Sequence, residues 1–565
     1  MTRLPRPGPA LACLLALLAG CDEGQDPTPN AAPAAKADPW FKDVATDAGV
    51  NFTWISGHDE DHFLPEIIGG GVALLDIEND GDLDIYFIQG GDVRTALDQT
   101  AANTASNRLY RNMGNWIFED VTEESGAGDR GYGQGVATGD FDNDGDVDLY
   151  VTNIGPNALL VNDGSGRFTN TAVEAGVAHP GWGASTAFLD YDADGYLDLY
   201  VSNYINWSPG TELDCFSTTG PDYCSPKNYD SPAIDVLYRN RGNGTFENVT
   251  NTSRISSATG NGLGIGCVDF NGDGWTDIFV ANDGTADQLW QNNGNGTFTD
   301  IGLLAGCALD DEGKAKAGMG VTISDIDDDG DFDLLVCNLT GESDSFYRNE
   351  GDHFVDATAT AGLKSTSKSF TRFGMSWNDF NNDGYLDLYE ANGRVLRTAV
   401  PEGVDPYAQE NILMRGTASG RFEELLPRGG VTSPRSFTSR GAAFGDIDAD
   451  GSIDLVIVNR DAPAALLRNI APGSGNSIAF KVIDAQGRDA LGARLTATIG
   501  SRKVSRPVIT GSSYMAANGP NVHLGLGTVD TVDEVSILWP DGAVERYGPF
   551  PAGGTRMLRQ GEGSP

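Results

Sequence analysis

One nine-residue pattern occurs seven times in this chain, and an internal repeat of that kind constrains the fold more than any other feature. It begins at Asp76, Asp140, Asp190, Asp269, Asp325, Asp379 and Asp446. Position 5 is Asp80, Asp144, Asp194, Asp273, Asp329, Asp383 or Asp450, and position 9 is Asp84, Asp148, Asp198, Asp277, Asp333, Asp387 or Asp454. Position 6 is always Gly, as in Gly145. Position 3 is Glu78, Asp142, Asp192, Asn271, Asp327, Asn381 or Asp448, so each copy offers a side-chain oxygen there. Position 7 varies freely through Asp82, Asp146, Tyr196, Trp275, Asp331, Tyr385 and Ser452.

That variability has a chemical meaning, because a ligand supplied by a backbone carbonyl is indifferent to its side chain. Oxygens from positions 1, 3, 5, 7 and 9 can converge on one hard cation, with Gly allowing the tight turn between them. A flexible shell of oxygen alone suits Ca2+ better than Mg2+, so up to seven Ca2+ ions are expected. The odd positions crowd 29 carboxylates together, and cations would relieve their repulsion. Plain Asp/Gly turns that need no ion are the alternative, with most room at Asp269 and Asp379, whose motifs have three carboxylates and an Asn. An EF-hand opens with the same spacing but needs Glu at position 12 between helices. Here position 12 is Phe87, Val151, Val201, Val280, Val336, Glu390 or Ile457, and runs such as Leu149-Tyr150-Val151 read as buried strands.

A turn and an aromatic strand complete each unit, as in Tyr238-Arg239-Asn240, Gly242-Asn243-Gly244 and Phe246-Glu247-Asn248. Several short strands per repeat are the composition of a propeller blade. The strand-opening Phe recurs at Phe41, Phe118, Phe168, Phe246, Phe298, Phe354 and Phe422. Its first copy precedes the first Asp loop, and none follows the last. The segment around Phe41 is therefore expected to complete the blade begun at Asp446 and close the ring.

The Asp loops resemble those of FG-GAP or VCBS-type propellers, the group that includes the integrin α-subunit head. Downstream, Arg488-Asp489-Ala490-Leu491-Gly492-Ala493-Arg494, Ser513-Tyr514, His523-Leu524-Gly525-Leu526-Gly527 and Trp539-Pro540-Asp541-Gly542 resemble the ASPIC/UnbV domain of cartilage acidic protein-like sequences. The implied fold is all-β: a seven-bladed propeller with calcium loops over residues 39–472, then a small β-sandwich-like domain over 473–565. Integrin-like heads use only some blades for calcium, whereas all seven loops here keep the ligand set. His523 and Trp539 are read as core residues.

Arg3 and Arg6 followed by the apolar run Ala10–Ala19 read as a secretory signal over residues 1–20. Leu18-Ala19-Gly20-Cys21 resembles a bacterial lipobox, which makes Cys21 the expected acylation site and residues 21–38 a tether. The expected location is the cell envelope, lipid-anchored and outside the cytoplasm, with the membrane met only through the anchor. Cys215 and Cys224 flank a polar segment in the longest insertion and are the expected disulfide, while Cys267, Cys307 and Cys337 read as buried small hydrophobes.

A net charge of -44 argues against nucleic acid as a partner. No nucleophile and base at recognised spacing, phosphate loop or zinc signature is present. His58 and His62, within an acidic run, are read as part of a solvated surface loop. The insertion from Asn203 to Tyr229 is a candidate lid whose aromatics could stack on sugar rings. The expected function is a calcium-binding scaffold for adhesion to an extracellular protein or glycan. A carbohydrate-active enzyme, of polysaccharide lyase or sugar dehydratase type, is the alternative and rests on analogy of fold alone.

Overall fold

The apolar runs that flank each Asp loop become paired antiparallel strands, because a continuous run of Val, Leu, Ile and Tyr is stable as a strand only when both faces are covered. In the computed structural model, which describes residues 38–98 and 105–565, seven such four-stranded units form the blades of a β-propeller. Blade 2 is representative: Tyr132–Gly139, Asp148–Ile154, Ala158–Asn162 and Phe168–Asn170 pair in chain order, with the Asp loop joining the first two. Blades 1 to 7 are numbered by their loops, from Asp76 to Asp446.

The ring closes with strands from both ends of the repeat array. Blade 7 contains Ser439–Gly445, Asp454–Asn459 and Ala465–Asn469, and its outer strand is Phe41–Asp43, with Phe41 opposite Asn469. A second device stitches neighbouring blades. The Asn that ends the third strand donates through Nδ2 to the position 2 carbonyl of the preceding loop: Asn162 to Ile77 O, Asn240 to Phe141 O, Asn292 to Tyr191 O. Asn349, Asn469 and Asn112 do the same, the last reaching Ile447 across the closure. Blade 6 has Gly416 at this place and lacks the stitch.

Beyond the propeller, Asn476–Ile483 pairs between Val522–Gly527 and Thr555–Arg559, and Arg494–Ile499 pairs between Arg502–Pro507 and Glu534–Leu538. The inward residues of both sheets, including Phe480, Leu495, Ile537 and Trp539, make a separate core. Trp539 is thus a core residue. His523 is not: it lies between the two parts of the molecule, with Nε2 3.1 Å from Gly451 O of loop 7.

The propeller axis is filled from both ends. From the C-terminal domain, residues 510–517 run inside the ring and touch the inner strands of several blades. Ser513 exchanges backbone hydrogen bonds with Val321, its Oγ donates to Ala442 O, Met515 N donates to Ser185 Oγ, and Ala517 pairs with Ala73. Tyr514 is fully buried, 4.8 Å from the Phe373 ring, and its hydroxyl donates to Ile68 O. Ile68 ends the helical turn Pro65–Ile68, whose four residues are all buried.

A bonded pair, Cys215–Cys224, ties the insertion of blade 3 into a hairpin. Cys267, Cys307 and Cys337 are free and buried. Replacing both bonded cysteines with Ser should cost about 2–3 kcal/mol, the chain-entropy value for so short a loop. Urea denaturation of the double variant measures it.

Candidate metal centres

All seven Asp loops wind the same way, and backbone geometry explains why. Position 4 has positive φ in every loop, from 55° at Ala449 to 72° at Gly272, and position 6 Gly has φ between 86° and 99°. These two left-handed residues curl the chain so that successive N–H groups point inward. The carboxylate of position 1 accepts the N–H of positions 5 and 6: Asp144 N and Gly145 N reach Asp140 at 3.2 and 2.9 Å. Asp144 Oδ1 accepts Asp146 N, and Asp148 accepts Phe141 N and Asn162 N. Loops 1 and 7 repeat this set at Asp76 and Asp446.

Those bonds leave further carboxylate oxygens pointing into the loop. In four loops, ligand-type atoms lie within 4.8 Å of one another: Asp140, Asp142 and Asp148; Asp190, Asp192 and Asp194; Asp325, Asp327 and Asp333; Asp446, Asp448 and Asp454. At position 3, one carboxylate oxygen stays without a partner in four loops. Glu78 Oε2, Asp142 Oδ1, Asp192 Oδ1 and Asp448 Oδ1 are buried without a hydrogen-bond partner, an arrangement that costs on the order of 1–3 kcal/mol per group unless a cation satisfies it. An oxygen-only set with an unpartnered acceptor fits a hard divalent ion.

Position 3 makes a further contact in most loops. In loops 4 and 6 the Nδ2 of Asn271 and of Asn381 donates to the position 5 carboxylate at 2.9 Å, so each amide must turn to present its oxygen. In loop 1, Glu78 pairs with Arg111 at 3.1 Å. Arginine at this place of the third strand recurs: Arg239 Nε lies 2.6 Å from Asp192, and Arg468 Nη2 lies 3.0 Å from Asp448. The spacing pattern does not reveal this competing cation, because it arrives from a strand outside the motif.

Burial raises the carboxyl pKa values. Desolvation pushes Asp148 up to about 9, Asp84, Asp277 and Asp333 to about 8, and Asp379 and Asp446 to about 7. A carboxyl raised above its ordinary value near 4 binds protons more tightly in the fold than in the unfolded chain. Its contribution to stability is present below pH 4 and is lost as pH rises through 7 to 9. Without divalent ions, the melting temperature should therefore fall between pH 5 and pH 8.5. With millimolar calcium that fall should shrink, since the ion favours the ionised form. Thermal scans at both pH values, with and without calcium, check the sign.

On the face away from the C-terminal domain, the insertion covers the axis. Tyr223 OH donates to buried Glu66 at 3.1 Å and accepts from Arg460 Nη2 at 2.8 Å, while Tyr407 OH donates to Asp222. Tyr204 is buried and donates to Asp283. The lid aromatics are thus mostly committed to packing and hydrogen bonding, Phe216 at the hairpin tip being exposed. His58 and His62 come closer than a solvated loop implies: their rings are 5.0 Å apart, and His58 Nδ1 lies 3.2 Å from Glu66. No regular periodicity announces this, because a loop with His62 at positive φ brings the rings together.

The FG-GAP-like repeat family matches the chain at residues 76–151, 140–201, 213–280, 269–336 and 325–390, together more than half of it. The chain belongs to this family. Its C-terminal part, residues 484–565, matches the ASPIC and UnbV family. The FG-GAP chain is 29% identical over 281 residues to cartilage acidic protein 1 of Xenopus tropicalis, covering 48% of this chain and 40% of that protein. It is 28% identical over 339 residues to cartilage acidic protein 1 of Homo sapiens, covering 58% and 47%. The matched region thus spans less than half the length of these relatives. Among solved structures, YCF48 from Cyanidioschyzon merolae aligns with a TM-score of 0.39 at 9% identity, over 71% of this chain and 94% of that one. The V. cholerae biofilm matrix protein Bap1 aligns with a TM-score of 0.31 at 12% identity, over 90% and 62%.

Proposed function

We propose that this FG-GAP propeller is a calcium-dependent scaffold for binding and adhesion on the cell envelope, held there by a lipid on Cys21, with an extracellular protein or glycan as its partner. The observation that carries the scaffold reading is the filled axis. Enzymes built on closed folds place converging polar groups in an open cleft, whereas here residues 510–517 occupy the ring and the blade 3 hairpin covers the other face. The paired carboxylates sit in loops that a cation would saturate, with no place reserved for a substrate. Residues 1–37, including Cys21, lie outside the described residues. The Cys215–Cys224 bond suits an oxidising compartment, and the acidic charge disfavours nucleic acid.

Calcium at positions 1, 3, 5, 7 and 9 would neutralise charge and satisfy the orphaned position 3 oxygens; it would supply structure rather than reactivity. Incubating the protein with acidic and neutral polysaccharides in millimolar calcium tests the reading. The expected result is calcium-dependent retention on an immobilised glycan or matrix protein, with no new reducing ends and no unsaturated uronate absorbance. Calcium-dependent depolymerisation would replace the scaffold with the lyase alternative.

A further inference from the structure

At three junctions, adjacent Asp loops are tied together by a side chain at position 4. Asn79 Nδ2 of loop 1 donates to the position 6 carbonyl of loop 2, Gly145 O, at 3.1 Å. Asn143 of loop 2 reaches Gly195 O of loop 3 at 3.1 Å, and Asn382 of loop 6 reaches Gly451 O of loop 7 at 3.0 Å. Loops 3, 4, 5 and 7 cannot do this, because their position 4 residues are Ala193, Gly272, Asp328 and Ala449, which carry no side-chain donor.

After loops 4 and 5 the bridge comes from the C-terminal domain. Arg494 spans loops 4 and 5, donating to Asp269 O at 3.2 Å and to Gly330 O at 3.0 Å. Arg502 spans loops 5 and 6, pairing with Asp328 Oδ2 at 2.7 Å and donating to Gly384 O at 2.9 Å. Each guanidinium lies over an aromatic ring of the same loops, Arg494 4.4 Å from the Phe332 centroid and Arg502 4.9 Å from that of Tyr385. The two arginines end on the carbonyl of position 6 in loops 5 and 6, the position used by the Asn bridges. The winding through the left-handed residues presents that carbonyl to the neighbouring bridge, and the same winding brings the odd-position oxygens together.

We propose that the C-terminal domain is a clamp linked to divalent-cation binding: ions in loops 4, 5 and 6 wind the carbonyls toward Arg494 and Arg502, and the seated arginines hold residues 511–517 in the ring. The strand Arg502–Pro507 is separated from the plug strand Gly511–Ser512 by three residues, so the clamp and the plug move together. Charge does not oppose the scheme. Loops 4 and 6 have three carboxylates and loop 5 more, so each keeps net negative charge beside a divalent ion. By linkage, docking must strengthen ion binding by the factor that ion binding strengthens docking. The proposal rests on the cation reading of the loops given above.

Hydrogen exchange on the full chain tests it, comparing the Ser513 and Met515 amides in the plug with Val136 of blade 2, in calcium and in chelator. Calcium titration of the wild type and of the Arg494→Gln/Arg502→Gln variant accompanies it; Arg502→Lys, which keeps the charge and loses the fork, serves if the double variant does not fold. Calcium is expected to slow plug exchange at least tenfold more than it slows Val136, and the variant is expected to lose at least fivefold in calcium affinity at its weakened sites. Calcium uptake with plug and Val136 exchange changing equally, or a folded variant with wild-type affinity, overturns the clamp and leaves the loop reading standing. No calcium uptake overturns the loop reading, and the clamp with it.

Discussion

Excess chelator is expected to lower the melting temperature of the full-length chain by roughly 10 °C or more. An ion present at a hundred times its Kd contributes about 2.7 kcal/mol to the folded state. The four loops whose carboxylates already converge lie in blades 2, 3, 5 and 7, and four such contributions total about 11 kcal/mol, with coupling expected between loops 2 and 3, which Asn143 joins. The effect is large because a bound cation would relieve the repulsion among carboxylates that the fold brings together. Asp454, Asp387 and Asp198 lie so deep that their carboxyls are held well above the ordinary range by desolvation. General screening of an acidic chain would give a shift too, but 0.15 M salt removes most long-range repulsion. Scanning calorimetry at that ionic strength, with calcium or with chelator, isolates the specific part. A shift below about 2 °C would mean that the loops are self-sufficient turns.

Phe41→Ala is expected to destabilise the propeller by about 3–5 kcal/mol, the usual range for emptying a buried Phe site. Phe41 is 1% exposed, its ring 5.4 Å from Phe380 and 5.8 Å from Tyr389 in edge-on contacts. The residue belongs to a strand of three, Phe41–Asp43, which completes blade 7 while packing against blade 6. Losing the ring therefore weakens one blade and one blade interface together. Phe216→Ala, at the exposed hairpin tip, is the control and should change stability by under about 0.5 kcal/mol. Equal denaturation midpoints for the two variants would show that closure does not depend on this strand.

The Asp loops, the blade count and the closing strand are readable because each is a short-range pattern copied seven times. A fixed spacing of carboxylates around Gly145 or Gly330 has few structural meanings, and the displaced Phe41 copy leaves few places for its partner. What escapes the pattern is long-range. Arg239 and Arg468 reach loop carboxylates from the third strand of their blades, tens of residues past position 3. Residues 510–517 have no strand or helix period, since their shape is dictated by several inner strands that surround them. Gly71 shows how tightly they fit: a Cβ there would lie 1.7 Å from Met515 O. His523, which reads as a core residue in the sequence, serves the junction because one ring nitrogen meets a loop carbonyl.

Divalent ions held in the Asp loops can be counted. The purified full-length chain is dialysed to equilibrium against low calcium in 0.15 M salt, and calcium per chain is measured by elemental analysis. At least four tightly held ions are expected, rising toward seven as calcium increases, with the loss of a single ion on Asp142→Asn/Asp148→Asn. One ion or none per chain, or a count unaffected by that variant, would contradict ion binding in the loops.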